Sequence, residues 1–199
     1  MRTEKTGFFS FVSKQNYNLS STQSGYLEYG VSDKLTLGAA IDVDIQAGAA
    51  LGGQGHIFLR RPLPWSRANS VWAYEIGFGA KVRETQQSQF AKTSLHFGKG
   101  VKLGKRNGWF AVDGAVEWHF GKEQHRAKID VTLGVNISAR SKAMVQIFTD
   151  ISAGSATATL APTYIFSPKD KKISYVAGFE AASNGRDSTA LKIGVWHKF

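Results

Sequence analysis

The feature that most constrains this chain is a two-residue alternation of apolar and polar side chains, sustained over unusually long runs. In the last segment Leu191, Ile193, Val195, His197 and Phe199 share one face, and Lys192, Gly194, Trp196 and Lys198 share the other. The same pattern sets Ile129, Val131, Leu133, Val135 and Ile137 against Lys128, Asp130, Thr132, Gly134 and Asn136. It recurs from Leu35 to Ile45, from Trp72 to Lys81 and from Phe110 to Phe120. A period of two belongs to strands, and a helix would need apolar residues at i, i+3, i+4 and i+7. No window of useful length has that spacing.

Marking every such run predicts about twelve strands, over 7–16, 23–31, 34–46, 54–62, 70–83, 88–100, 108–121, 125–138, 142–153, 156–167, 172–182 and 188–199. A strand in a soluble sheet averages about five or six residues. About ten tilted residues cross the hydrocarbon layer of a bilayer, and many of these runs are that long. Turn-forming residues punctuate the runs at Val31–Lys34, Ser138–Lys142, Ser167–Lys172 and Asn184–Asp187. The expected fold is therefore all-β: a closed antiparallel transmembrane β-barrel of about twelve strands, with ten as the alternative. It occupies residues 1–199 as a single domain.

Composition removes other classes. The chain has no cysteine, so it holds neither a disulfide scaffold nor a thiolate metal site. With 42% hydrophobic and 12% aromatic residues it is not a disordered chain. Its apolar runs are only a few residues long, which excludes a transmembrane helix. No apolar leader segment stands in residues 1–30, since Gly7–Val12 is brief and is broken by Ser10. The expectation is a mature chain whose signal peptide is absent from this sequence.

The polar faces decide between water and lipid. A soluble sandwich or lipocalin-like barrel would expose them to solvent, yet they are crowded with glycine and small residues. A membrane barrel inverts the arrangement, with apolar side chains toward lipid and polar ones and glycine in the lumen. Tyr29, Trp65, Trp72, Phe97, Phe120, Tyr164, Phe166 and Phe199 stand near strand ends, where interfacial aromatic girdles form.

Two segments carry a resemblance. Tyr29-Gly-Val-Ser-Asp-Lys-Leu-Thr-Leu-Gly38 resembles the periplasmic hairpins of bacterial outer-membrane β-barrel proteins. Leu191–Phe199 resembles their terminal signal, with Val195, His197 and Phe199 as its alternating outward residues; His197 departs from the usual apolar or aromatic residue there. The resemblance covers the architecture of the whole chain and names the porin-like superfamily, not a particular family. It implies a bacterial outer membrane location, outer-membrane lipids as surroundings, and the barrel-assembly machinery as partner during biogenesis.

Parity also sorts the charges. Inward positions collect nine acids, Glu28, Asp42, Asp44, Glu75, Asp113, Glu117, Asp130, Asp150 and Glu180, against six bases, Arg60, Lys81, Lys92, Lys128, Lys192 and Lys198. His56, His96 and His119 join them. The expected lumen is mildly acidic, so modest cation preference is expected, with Asp42, Asp44, Asp113 and Glu117 setting it. The formal excess of +10 then belongs to the rims, through residues such as Lys34, Arg61, Arg67, Lys102, Lys105, Arg106, Arg140, Lys142, Lys169, Lys171 and Lys172. Without interleaved aromatic and basic residues this charge does not indicate nucleic-acid binding. Inward glycines at 38, 77, 79, 134, 178 and 194 are expected to make room in the lumen, while Phe58, Phe90, Trp109, Phe148 and Trp196 take room back.

Two function classes follow. The first is a narrow passive channel for small polar solutes or ions. Its pore-lining residues are Asp42, Asp44, Glu75, Lys81, Lys92, Asp113, Glu117, His119, Lys128, Asp130, Asp150, Glu180 and Lys192. The second is a lipid-modifying hydrolase of the phospholipase A or lipid A deacylase type, or a structural barrel with a packed lumen. Ser183-Asn184-Gly185-Arg186 is similar to part of the hydrolase motif, but Ala181 stands where its histidine would be, and a serine without an adjacent base is a poor nucleophile. A plain turn accounts for these residues. His96, His119 and His125 match no metal-ligand spacing. His119 with Glu117 and Asp113 could form an acid–base set, although inward charges in small barrels ordinarily pair with one another. No cofactor is expected. Solute, oligomeric state and lumen opening are left open by the sequence.

Overall fold

The computed structural model describes residues 3–46, 51–67, 69–83, 86–121, 125–183 and 189–199. Twelve strands follow in chain order: β1 (Gly7–Asn16), β2 (Ser21–Ser32), β3 (Leu35–Ile45), β4 (Gly52–Pro62), β5 (Ser70–Arg83), β6 (Gln86–Leu103), β7 (Arg106–His119), β8 (Arg126–Asn136), β9 (Ser141–Ser152), β10 (Ser155–Phe166), β11 (Ile173–Ala182) and β12 (Ala190–Lys198). Each pairs antiparallel with its chain neighbours, and β12 returns to β1, with Phe8 opposite Lys198 and Asn16 opposite Ala190. Closure satisfies the backbone of both outermost strands, which hydrocarbon requires because it offers no other hydrogen-bond partner.

Most strand ends fall within two residues of the expected spans. β6 is the exception, running past both expected limits to Leu103. There the alternation fades over Lys99–Leu103, but Gly104, at φ 62°, turns the chain in two residues and keeps Leu103 opposite Arg106. A second two-residue hairpin joins β9 to β10 through Ala153 and Gly154, at φ 52° and 77°. That pair of positive values matches the twist of the flanking strands. Asn184–Asp187, an expected turn, lies outside the described residues.

Leu37, Ile41, Ile57, Ile76, Phe78, Leu133, Ile147, Leu160, Leu191 and Ile193 are exposed on the outside of the barrel. A belt of this kind would aggregate in water and suits acyl chains. The buried polar residues lie on the opposite face, among them Glu28, Thr36, Glu75, Glu117, Thr132, Thr163 and Lys192. The molecule is thus inverted relative to a soluble sandwich. Pro162 marks one irregularity: the β10–β11 ladder pairs Leu160 with Ala181 and resumes at Thr163 with Gly178, in unchanged register. Proline has no N–H to donate across that gap.

The interior is filled unevenly. Near the end that carries both termini, Met144, Ile165 and Val176 from β9–β11 pack with Trp109 and Trp196. Phe8 meets Trp196 edge-on at 5.8 Å. Along the opposite wall a ladder of rings runs from Tyr26 to Phe58 (5.8 Å), His56 (5.9 Å), Phe90 (6.3 Å) and His119 (5.5 Å). Here the expectation for the inward glycines is corrected. A Cβ at Gly38 would enter the Phe58 ring, one at Gly134 the Trp109 ring, and one at Gly79 would lie 2.6 Å from Phe90. These glycines seat aromatic rings against the wall and leave no free volume of their own.

Candidate functional site

The lumen holds three linked charge clusters. The deepest centres on Glu75, whose side chain is 1% exposed. Arg60 of β4 donates to Glu75 Oε2 through Nη2 at 2.7 Å and Nε at 3.1 Å, and to Glu28 Oε2 of β2 through Nη1 at 3.0 Å. Lys92 of β6 approaches Glu75 Oε1 at 3.3 Å, and Ser94 donates to the same oxygen at 3.4 Å. His96 stands 3.4 Å from Glu75 through Nε2 and 2.6 Å from Asp113 through Nδ1. These side chains come from alternate inward positions of neighbouring strands, so the register that pairs Arg60 with Glu75 and His96 with Asp113 assembles the cluster.

The second cluster lies toward the end away from the termini. Glu117 is buried against Lys128 at 3.0 Å and Arg126 at 3.5 Å, with His119 at 3.8 Å. Arg126 also donates through Nε and Nη2 to a single oxygen, Oδ2, of Asp150 on β9. In the third, Glu180 of β11 bridges Lys14 of β1 at 3.3 Å and Lys192 of β12 at 3.7 Å. Asp42 accepts from Ser24 at 2.7 Å and Gln54 at 3.2 Å, and Asp44 accepts from Thr22 at 2.9 Å.

Each expected pore-lining residue lies on the inward face of its strand. Glu75, Lys92 and Asp113 fall in the deep cluster, Glu117, His119, Lys128 and Asp150 in the second, and Glu180 and Lys192 in the third. Asp42, Asp44, Lys81 and Asp130 line the space between them. The expected acidic balance does not hold, because the lumen has more bases than the parity count found. Lys14 and Arg126 enter the clusters described, and Lys142 lies over the Trp109 ring at 5.9 Å. Lys14 continues the inward series Phe8, Ser10, Val12 and was legible by the same rule. Arg126, two residues before Lys128 in the expected 125–138 run, was legible by parity too, whereas Lys142 falls in the expected turn Ser138–Lys142, where parity is hidden.

Three cavities adjoin one another along this lumen. The largest, about 880 Å³, opens at the end away from the termini and is lined by Lys14, Lys81, Arg83, Arg126, Asp150 and Glu180 among others. It shares Lys14, Lys81, Arg126, Asp150 and Glu180 with a middle cavity of about 790 Å³. That one shares Tyr26, Lys128 and Asp130 with a third of about 510 Å³, which reaches Val71 and Gly98 near the termini. Near the termini, where Met144, Ile165 and Val176 pack with Trp109 and Trp196, the third cavity is lined by residues of β2–β8 alone.

The other candidates are placed as follows. Ser183 Oγ accepts a hydrogen bond from the Ala158 amide at 3.1 Å, and the Ser183 amide donates to the Ala158 carbonyl at 2.8 Å. The serine is thereby tied to β10; Asn184, Gly185 and Arg186 lie outside the described residues. His125 contacts Trp118 at the barrel end, apart from His96. At the terminal segment Phe199 exchanges backbone hydrogen bonds with Gly7, at 2.7 and 3.1 Å, and its ring covers that glycine. His197 stacks on Phe199 at 5.7 Å, and Val195 pairs with Phe11 and Tyr175 of the neighbouring strands.

An apolar outer belt, a closed twelve-strand antiparallel meander and a charged interior define a β-barrel of the transmembrane kind. Solved structures agree with this class. A KdgM porin superposes with a TM-score of 0.66 at 10% identity, over 96% of this chain and 99% of that one. A KdgM porin in complex with disordered oligogalacturonate gives 0.69 at 10% identity, over the same 96% and 99%. A COG4313 outer membrane channel from Pseudomonas putida F1 gives 0.63 at 13% identity, over 100% of this chain and 97% of that one. No protein-family model matches the sequence. No curated protein matches it either. At these identities the likeness is one of fold.

Proposed function

We propose that this protein is a narrow passive channel of the bacterial outer membrane for small polar solutes or ions. The observation that carries the reading is the run of three cavities sharing lining residues, from the wide mouth to the neighbourhood of Val71. Val71 is inward by parity yet 43% exposed, which supports an exit beside the termini. Asp42, Asp44, Glu75, Lys81, Lys92, Asp113, Glu117, His119, Lys128, Asp130, Asp150, Glu180 and Lys192 are the proposed lining. Their pairing fixes the lumen's shape while leaving polar surface for a permeant to exchange with water. That a porin of similar fold is found with an oligogalacturonate supports polar solutes as the cargo class.

Refolded protein in planar bilayers should give small, ohmic single-channel steps. Silent bilayers from folded barrel would overturn the reading and favour the packed structural barrel, for which the Met144–Ile165–Val176 cluster and the Glu75 cluster are the supporting features. The hydrolase reading has less support, because the Ser183 hydroxyl is held by the Ala158 amide and no described histidine contacts it. In this proposal the barrel is surrounded by outer-membrane lipid. The Val195–His197–Phe199 segment serves as its signal to the barrel-assembly machinery.

A further inference from the structure

We infer that the wide mouth of the lumen is a receiving site for small polyvalent anions, built around Lys81 and Arg83 on β5. The inference deepens the channel reading and rests on it for its physiological meaning. Its basis is which charges at this mouth are already neutralised. Among the described residues two carboxylates line the mouth, and both are engaged. Asp150 is held by Arg126, and Glu180 is held by Lys14 and Lys192. Lys81, by contrast, has no carboxylate within ion-pair distance among the described residues. Its electrostatic neighbours are three cations, Arg126, Arg83 and Lys128, and one acid, Glu117. Glu117 is itself taken by Lys128 at 3.0 Å and Arg126 at 3.5 Å.

Like charges gathered around adjoining cavities repel one another, and one anion with two or more charges relieves several repulsions at once. A monovalent ion in the same space relieves fewer, so the site favours valence over size. The mouth is wide enough for such a ligand, at about 880 Å³. The low-dielectric wall focuses the field at half-buried Lys81, while Arg83, exposed at the end of β5, is screened within about 10 Å at 0.1 M salt. The guanidinium of Arg83 offers a fork for a carboxylate or phosphate edge, and the Lys81 ammonium offers a point charge beside it. The expectation of cation preference is thereby reversed at this end. The two described mouth carboxylates are held by bases, while Lys81 and Arg83 have no ion pair among the described residues; Asp42 and Asp44, which line the middle cavity, accept from Ser24, Gln54 and Thr22.

The test uses citrate as the polyvalent probe, acetate as the monovalent one and maltotriose as the neutral one. Calorimetry on detergent-folded protein at low salt should show citrate binding, with acetate far weaker and maltotriose silent. The double variant K81Q R83Q should bind citrate about tenfold more weakly, the equivalent of ~1.4 kcal/mol and of about one charge-assisted contact. K99Q, on the outward face at the far end, should bind as the parent does. In bilayers citrate should block the parent current, and the double variant should need about tenfold more citrate for the same block. Equal citrate affinity in parent and double variant, or none in the parent, would overturn the inference. Citrate binding that depends on Lys81 and Arg83 in a barrel with no conductance would uphold the anion site and refute the channel.

Discussion

Replacing Glu75 by glutamine should destabilise the barrel more than neutralising any other lumenal acid. Glu75 carries five contacts on two oxygens, from Arg60 twice, Lys92, Ser94 and His96, at 2.7 to 3.4 Å. Removing one member of a buried ionic group costs about 3–5 kcal/mol, because the partners stay buried without compensation. Two features lower that figure here. Arg60 keeps Glu28 at 3.0 Å, and the adjoining cavity of about 510 Å³ admits water to Lys92. Glutamine also preserves volume and one acceptor oxygen. The expected loss is therefore about 2–3 kcal/mol, scaled down from that buried-pair cost. The internal control is Asp113→Asn. Asp113 is 44% exposed and meets His96 alone, so its loss should stay under about 1 kcal/mol, as exposed pairs do. Equilibrium unfolding in guanidinium, in one detergent and at one ionic strength, reads both variants. The midpoint of E75Q should fall with an unchanged slope, which marks a change in stability and not in compactness. An E75Q midpoint equal to that of D113N would refute the reasoning.

Three further outcomes are expected. Arginine at Ile76 or Leu133, both exposed on the lipid belt, should cost about 2–4 kcal/mol in bilayer unfolding if each lies at the midplane; spin labels at Ile76 and at inward Thr132 should differ in lipid contact, and equal contact would overturn the facing. Alanine at Gly134 puts a methyl group into the Trp109 ring position and should lower stability by about 1–3 kcal/mol, with altered tryptophan fluorescence; a native spectrum and midpoint would show that the ring is not seated there. Deleting Phe199 should reduce insertion in cells while detergent refolding persists, since its ring and backbone meet the Gly7 corner and the His197 ring at the barrel end; insertion at parental levels would dismiss the assembly role.

Much of this molecule was legible in the sequence because a strand's side-chain period is two and a membrane barrel has only two faces. Leu191, Ile193 and Val195 therefore announce the outward face without any knowledge of neighbours, and Lys192 and Trp196 the inward one. Strand count followed from where the alternation restarts, and barrel closure from the lengths of the runs. Parity alone also sent Glu75, Lys92, Asp113 and Glu117 to the lumen. It could not say which carboxylate meets which cation, because that depends on register between strands and on reach across the interior. Arg60 joins Glu28, 32 residues away, and Arg126 reaches Gln54, 72 residues away. Net lumenal charge depended also on Lys14 and Arg126, which parity could have placed, and on Lys142, which falls in an expected turn and whose facing only the folded hairpin defines. The inward glycines show the same division most sharply. Sequence places Gly38, Gly79 and Gly134 in the lumen, but whether each opens space or seats a ring depends on the strand beside it, and Phe58, Phe90 and Trp109 occupy all three notches.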